Sequence, residues 1–304
     1  MTTGQKVTGQ EGHEAPRPGS SPDGLPPLRE VIQSFDLGAK KSLGQNFILD
    51  LNLTRRIARA AGPLGDHPVI EVGPGPGGLT RGLLLEGAHR VIAVEADRRC
   101  EPALSAIAER YPGRFSTVFD DALDVDWRAL VGEDSGRAII AANLPYYVAT
   151  RLLVGWLESE PWPSWWCRMA LMFQKEVADR IVAAPGSKAY GRLAVISQWR
   201  AEVRVALTLG PEAFTPPPKV ASAVVVFVPR PRCEPPCNVV TLGRVTAAAF
   251  GQRRKMLRQS LRLLGRDTGA LLEAVQISPE KRAEELSPAD FARIAAAIDA
   301  GIGA

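Results

Sequence analysis

Histidine and cysteine are scarce in this sequence, and what there is of them is scattered. The three histidines, His13, His67 and His89, form no cluster, so neither a Ser-His-Asp triad nor a histidine-bound catalytic metal is expected. Cys100 and Cys167 stand alone. Cys233 and Cys237 are close, but they lack a second pair or a nearby histidine, so no structural metal is expected there either. No apolar run approaches the roughly 18–20 residues of a membrane-spanning helix, and no secretory apolar stretch follows Met1. The expectation is a cytoplasmic protein with no membrane partner. Residues 1–28 are short of large apolar side chains and rich in Gly, Pro, Ser and Thr. They bury too little to offset their ordering entropy and read as a disordered tail.

What is present is a strand–helix alternation. Apolar, β-rich runs at 69–72, 91–95, 115–119, 138–142 and 168–173 read as strands. Helical patterns lie near 50–62, 79–87, 100–111 and 149–158, with another running through Val182. This order predicts an α/β, doubly wound, mostly parallel sheet. Runs at 203–207 and 222–228 follow with no clear helix between them and are expected to close the sheet as an antiparallel pair. A proline cluster at 229–236 reads as a linker, beyond which the pattern is helical. The expected organisation is a catalytic unit over 29–232 and a small helical unit over 233–304. Ser278-Pro279 and Ser287-Pro288 both read as helix starts, serine at the N-cap and proline at N1.

The first strand runs into EVGPGPGGLT at residues 71–80. Gly73, Gly75 and Gly78 fit G-x-G-x-x-G, and Glu95 lies 22 residues beyond Gly73, which by itself suits a dinucleotide enzyme. Two details argue otherwise. Pro74 and Pro76 have no N–H to offer a pyrophosphate, and Glu71 places a carboxylate where a phosphate would be repelled. A phosphate-free cofactor bearing an amine, such as S-adenosylmethionine, suits the loop better, with Glu95 accepting the ribose hydroxyls. The plain alternative is a glycine turn that serves packing. Asp120 and Asp121 end the third strand, where a carboxylate either meets an adenine amino group or makes an ordinary turn.

The fourth strand ends in Asn143-Leu-Pro-Tyr146. Ligands of open α/β sheets bind at strand carboxyl ends. The Asn143 side-chain oxygen and the Leu144 carbonyl can accept both hydrogens of an exocyclic amine, freeing its lone pair for attack. Pro145 would fix the loop, and Tyr146 would stack on the base. The alternative is a strand-ending turn with a packed tyrosine.

The net charge is only +4, so a nucleic-acid partner is implied only where charge concentrates. It concentrates between Arg244 and Arg266, with seven arginines or lysines and no acid. Arg254, Arg258, Arg262 and Arg266 recur every four residues and are expected on one helical face, beside an apolar stripe of Leu257, Leu261 and Leu264. Such a face suits a polyanion or is simply solvated.

Together these residues resemble the ribosomal RNA adenine N6,N6-dimethyltransferases that act on small-subunit (16S) rRNA, over about residues 40–286. KSLGQNFI at 41–48 resembles that family's N-terminal cofactor motif, with Leu43 and Ile48 as mild departures. QKEVADR at 174–180, SKAYGRL at 187–193 and FTPPPKVASAV at 214–224 resemble blocks that set it apart from other methyltransferases. Tyr147 departs from the asparagine of many members and is expected to alter only loop packing. The resemblance implies a Rossmann-like S-adenosylmethionine-dependent methyltransferase sheet with a small α-helical C-terminal domain. It implies cofactor binding by Gln45, Asn46, Ile48, Glu71, Gly73, Gly75, Gly77, Glu95, Asp121, Ala122 and Asn143. It implies catalysis by Asn143, Leu144, Tyr146 and Phe214, with Phe214 and Tyr146 sandwiching the base. It implies RNA contacts by Arg253, Arg254, Lys255 and Arg258. The implied substrate is a pair of adjacent adenosines near the 3′ end of 16S rRNA in the small ribosomal subunit, each methylated twice by a monomer. Competing readings are a large-subunit rRNA methyltransferase of the antibiotic-resistance type, a non-catalytic assembly factor and, weakened by Pro74 and Pro76, a nicotinamide dehydrogenase.

Overall fold

A computed structural model describes residues 21–40, 44–132 and 136–303, apart from the side chain of Tyr147. The departures noted at Leu43 and Tyr147 and most of the expected tail therefore fall outside the described residues. After helix α1 (Leu28–Ser34) and α2 (Leu51–Ala60) the chain alternates: β1 (Val69–Val72), α3 (Gly78–Leu85), β2 (Val91–Glu95), α4 (Glu101–Arg110), β3 (Phe115–Phe119), α5 (Trp127–Val131), β4 (Ala138–Ala142), α6 (Tyr146–Glu158) and β5 (Trp166–Gln174). Helices α7 (Lys175–Ile181) and α8 (Arg192–Arg200) precede β6 (Ala201–Leu209) and β7 (Ser222–Pro229). The C-terminal part holds α9 (Val239–Gly251), α10 (Leu257–Ser260), α11 (Thr268–Ala274) and α12 (Pro288–Asp299).

The seven strands form one sheet in the order β3-β2-β1-β4-β5-β7-β6. The pairs from β3 through β5 are parallel, and β7 runs antiparallel to both β5 and β6. Because side chains alternate across a strand, each strand feeds two cores. Ile70, Val72, Ile140 and Ala142 enter one core with α6, α8, α9 and α12, while Val69, Val91, Ala93, Ile139 and Ala141 enter the other with α2, α3 and α4. Glu71 and Glu95 share the parity of Val69 and Val91. Both carboxylates therefore point toward the side where α3 leaves the glycine loop. The order of strands reverses between β1 and β4, which are in register with Val72 opposite Ala142. The loops after these two strands thus meet at the switch point where open α/β sheets bind ligands.

Three expectations need correction. The tail does not extend to residue 28. Asp23 and Leu28 are buried, and a single guanidinium, that of Arg81, holds the Asp23 carboxylate. The basic run is not one helix. Helix α9 stops at Gly251, residues 252–256 turn, and α10 passes into a 3₁₀ turn at Leu261–Leu264. The break lets Leu257 and Leu261 reach the same core as Val245 and Ala249, and it spares the like charges a continuous face. Arg254 therefore sits in a turn, away from the helical row. Ser278-Pro279 starts no helix either. The Lys281 N–H closes a turn on the Ser278 carbonyl, and the carbonyls of Pro279 and Lys281 accept the N–H groups of Arg258 and Leu257, which holds that turn against α10. Ser287 does cap α12, in a reciprocal capping box with Asp290.

Helices α2 and α3 can lie close because Gly82 has no side chain. A Cβ there would stand 2.8 Å from the backbone carbon of Thr54 and 2.9 Å from its oxygen. No helix among the described residues is long and apolar enough to cross a membrane. Gly82→Ala is expected to push α2 off α3 and cost about 1–3 kcal/mol, read from urea unfolding. A loss below about half a kcal/mol would show that the contact yields freely.

Candidate active site

A cavity of about 260 Å³ opens where the β1 and β4 loops meet. Its walls come from the segment before α2 (Gln45, Asn46, Phe47, Ile48), the glycine loop (Gly73, Pro74, Gly75, Pro76), the three acids Glu71, Glu95 and Asp97, and the Asn143–Tyr146 loop. Among the described residues no lysine, arginine or histidine lines it.

The glycine loop has little left to give a phosphate. Gly73 N–H bonds the Val94 carbonyl, Gly77 N–H the Pro74 carbonyl and Gly75 N–H the Glu95 carboxylate at 2.9 Å. The two prolines between them have no N–H. Three acids, no cation among the described residues, and a loop whose Gly73, Gly75 and Gly77 donors are committed, with only the Gly78 N–H at the start of α3 left over, disfavour a pyrophosphate. The same set fits a ligand carrying net positive charge and hydroxyls. Glu95 also accepts the Asp97 N–H at 2.8 Å, so each of its oxygens keeps a lone pair for a hydroxyl.

The acids differ in protonation. Burial pushes the Glu71 carboxyl up to about 8, against the opposing hydrogen bond from the Thr80 hydroxyl at 2.6 Å. Burial also raises Glu95, partly offset by backbone N–H donors, those of Asp97 and Gly75 foremost. Burial would raise Asp97 as well, but the Arg99 guanidinium and the Gln45 amide outweigh it and hold this carboxyl below its ordinary value.

On the β4 side, the Asn143 Nδ2 donates to the Asn46 carbonyl at 3.2 Å. An amide whose nitrogen is so committed keeps its oxygen for the cavity. The Tyr146 hydroxyl bonds the buried Ser222 hydroxyl at 2.6 Å, which fixes the ring from the start of β7. The segment before α2 is tied to the loop between β6 and β7. Phe47 and Thr215 exchange both backbone bonds, at 3.0 and 2.8 Å. The Phe47 ring reaches over Gly75, where a Cβ would meet Cε1 at 3.1 Å.

Of the residues singled out in the sequence, Gln45, Asn46, Ile48, Glu71, Gly73, Gly75, Glu95, Asn143, Leu144 and Tyr146 lie together at this cavity. Five expectations do not fit. Gly77 is outside the wall. It has φ 88°, and a Cβ there would strike Ile107 Cδ1 at 2.1 Å, so its role is the close approach of α4. Asp121 and Ala122 stand beyond the wall at the end of β3. The exposed Asp121 carboxylate caps its own turn through the Leu123 N–H at 2.9 Å. Phe214 is only 3 % exposed and enclosed in the α2–α4 core, so it presents no face to the cavity. Arg253 is occupied internally, bonding Glu284, the Tyr190 carbonyl and the Ser187 carbonyl. Arg254, Lys255 and Arg258 are exposed and have no ion pair with any described residue. The sequence reading missed Phe47, Thr80, Asp97 and Ser222. Phe47 lay inside a quoted motif, and Asp97 two residues past Glu95, but the Ser222 contact spans distant segments and leaves no local signal.

Fold and cavity together define a Rossmann-like S-adenosylmethionine-dependent methyltransferase. The model of the ribosomal RNA adenine dimethylase family matches residues 37–300, and the chain belongs to that family. It is 59 % identical over 289 residues to the ribosomal RNA small subunit methyltransferase A of Xanthobacter autotrophicus, covering 94 % of this chain and 99 % of that protein. The namesake of Rhodopseudomonas palustris strain BisA53 is 59 % identical over 276 residues, covering 91 % and 95 %. Among solved structures, a dimethyladenosine transferase from Plasmodium falciparum superposes with a TM-score of 0.70 at 23 % identity, covering 83 % of this chain and 98 % of that one. The 23S rRNA methyltransferase ErmE superposes at 0.63, also at 23 % identity, covering 84 % and 100 %. At that identity both report the fold alone.

The raised Glu71 carboxyl has a pH consequence of known sign. Between its ordinary 4.5 and about 8, the folded cofactor-free protein holds a proton that the unfolded chain has released. The stability it contributes is full below 4.5 and is lost as pH rises through about 8. A cationic ligand favours the ionised form, so binding expels this proton below about pH 8. Calorimetric titration should show cofactor affinity rising with pH from about 6 to 8, approaching tenfold per unit, and levelling above. Glu71→Gln should flatten the profile. A flat wild-type profile would contradict the coupling.

Proposed function

We propose that this methyltransferase transfers methyl groups from S-adenosylmethionine to N6 of two adjacent adenosines near the 3′ end of 16S rRNA, giving N6,N6-dimethyladenosine. The relatives' names point to the small subunit. The observation that carries the chemistry is the Asn143 Nδ2 bond to the Asn46 carbonyl, which leaves Asn143 Oδ1 facing the cavity.

When bound, S-adenosylmethionine supplies a methyl group activated by a positive sulfonium. Gln45, Asn46, Ile48, Glu71, Gly73, Gly75 and Glu95 hold the cofactor end of the cavity, and Asn143 bridges both ends. Asn143 Oδ1 and the Leu144 carbonyl accept the two hydrogens of the adenine amine. Drawn toward these acceptors, the nitrogen loses conjugation with the ring and its lone pair turns toward the methyl group. Pro145 restricts the loop that presents the carbonyl. Tyr146, pinned by Ser222, stacks on the base. That contact and its attraction for developing positive charge are worth roughly 0.5–2 kcal/mol. Burial raises the Tyr146 phenol, so it stays neutral and keeps its bond to Ser222. The methylated amine is acidic enough to shed its proton without a dedicated base. The base must leave its stack to enter, at a cost of a few kcal/mol unless it already lies in a loop.

The catalytic unit spans 29–232 together with the ordered residues before it, and 233–304 is the RNA-binding unit. Arg254, Lys255 and Arg258 are its phosphate contacts. The protein works as a cytoplasmic monomer on the small-subunit particle.

Labelled methyl incorporation into unmethylated small subunits, free rRNA and large subunits, run in parallel, tests the substrate. The small subunit should be labelled and the large one not; the reverse would overturn the reading. Asn143→Ala should lower kcat by about 10²–10³-fold, as loss of one aligned polar group does, with RNA binding kept. Turnover within about threefold of wild type would remove Asn143 from the chemistry. Arg254→Ala with Arg258→Ala should reduce the slope of log affinity against log salt by about one unit per arginine. An unchanged slope would place the RNA elsewhere.

A further inference from the structure

The segment before α1 holds the most deeply buried ion pair of the described residues, and nothing in the chemistry above uses it. The Asp23 carboxylate accepts two parallel bonds from Arg81, one from Nε and one from Nη2, both at 2.6 Å. The two side chains are 0 % and 2 % exposed. Arg81 Nη1 also donates to the Pro26 carbonyl at 2.8 Å, and Arg110 Nε donates to the Asp23 carbonyl at 2.7 Å. Residues 21–28 therefore form a strap across two helices, gripping α3 through Arg81 and α4 through Arg110.

These helices flank the cofactor loop. Arg81 lies in the first turn of α3, its N–H bonded to the Gly77 carbonyl, directly after Thr80, whose hydroxyl holds Glu71. Gly77 presses against Ile107 of α4. Leu28 closes the strap over Gly78, where a Cβ would stand 3.2 Å from Leu28 Cδ1 and 2.9 Å from the Ile48 carbonyl. One continuous set of contacts thus runs from the strap to the glycine loop, to Thr80 and Glu71, and to the segment that covers the cavity.

We infer that residues 21–28 are a positioning strap for S-adenosylmethionine binding, with Asp23, acting through Arg81, as its positioning residue. Asp23 touches no reacting atom. It neutralises a guanidinium that could otherwise hydrate only by pulling the first turn of α3 outward, which would carry Thr80 off Glu71 and open the glycine loop. The strap therefore sets cofactor affinity and leaves the transfer step alone. This rests on the cavity being the S-adenosylmethionine site.

Full-length Asp23→Asn, checked for folding by circular dichroism, should bind S-adenosylmethionine about tenfold more weakly, within the range of ordinary site coupling. KM for the cofactor should rise in parallel, with kcat at saturating cofactor within twofold. A role in stability alone would lower the folded fraction, and with it apparent kcat, at unchanged KM; that result would overturn the proposal. Wild-type protein gives a second reading that needs no variant. By reciprocity, S-adenosylmethionine should slow amide exchange at Gly24 and Leu25, relative to α12, by about fivefold or more. Both amides are bonded within the strap, to Ser21 and Asp23. Equal exchange with and without cofactor would overturn the proposal. Failure of wild-type protein to bind S-adenosylmethionine would instead overturn the reading of the cavity, and the strap's role with it.

Discussion

The account turns on one hydrogen bond between segments nearly a hundred residues apart, from Asn143 Nδ2 to the Asn46 carbonyl. An asparagine amide can present either end. In a partly buried site the end already paired is the end that stays, because reversing it would set two acceptors face to face. The bond therefore decides that the β4 loop offers an oxygen, and with it an acceptor for an amine. The same bond joins the segment that covers the cofactor end of the cavity to the loop that faces the substrate. The Phe47–Thr215 bridge joins the loop before β7 to the first of these, and the Tyr146–Ser222 bond joins the start of β7 to the second. The cavity is thus closed by three short segments that hold one another.

Its charge follows from something simpler. Strand parity puts Glu71 and Glu95 on one face, the sheet order brings β1 beside both β2 and β4, and the glycine loop passes over them. A dinucleotide site built on the same strand–loop–helix unit points free N–H groups at phosphate. Here three of the loop's four glycine donors are spent on Val94, Pro74 and Glu95. The burial that raises Glu71 and Glu95 is a cost until a positive ligand arrives. The selectivity for such a ligand is therefore electrostatic as much as steric.

The sheet was legible because its strands are short β-branched runs separated by helical periodicity. Each of the first four was placed to the residue, and β5 and β6 are only longer at their ends. Glu71, Glu95 and Asn143 were legible because topology puts strand carboxyl ends at the ligand site whatever the side chains. What failed depended on packing at a distance. The period-four arginines read as a helix because nothing nearby says that Leu257 must turn back toward Val245. Gly77 read as a cofactor contact because a glycine's neighbour on another helix, here Ile107, leaves no local mark. Asp23 lay in a polar, proline-rich stretch whose composition favours disorder, and its partner Arg81 is 58 residues away. A single buried charge pair overrode the composition.

The most direct test is a high-resolution structure with S-adenosylhomocysteine and an RNA fragment carrying the target adenosine. The account predicts the adenine N6 within about 3.2 Å of both Asn143 Oδ1 and the Leu144 carbonyl, with Asn143 Nδ2 still on the Asn46 carbonyl. A purine edge turned away from that pair, or an amide reversed so that its nitrogen faces the base, would contradict it.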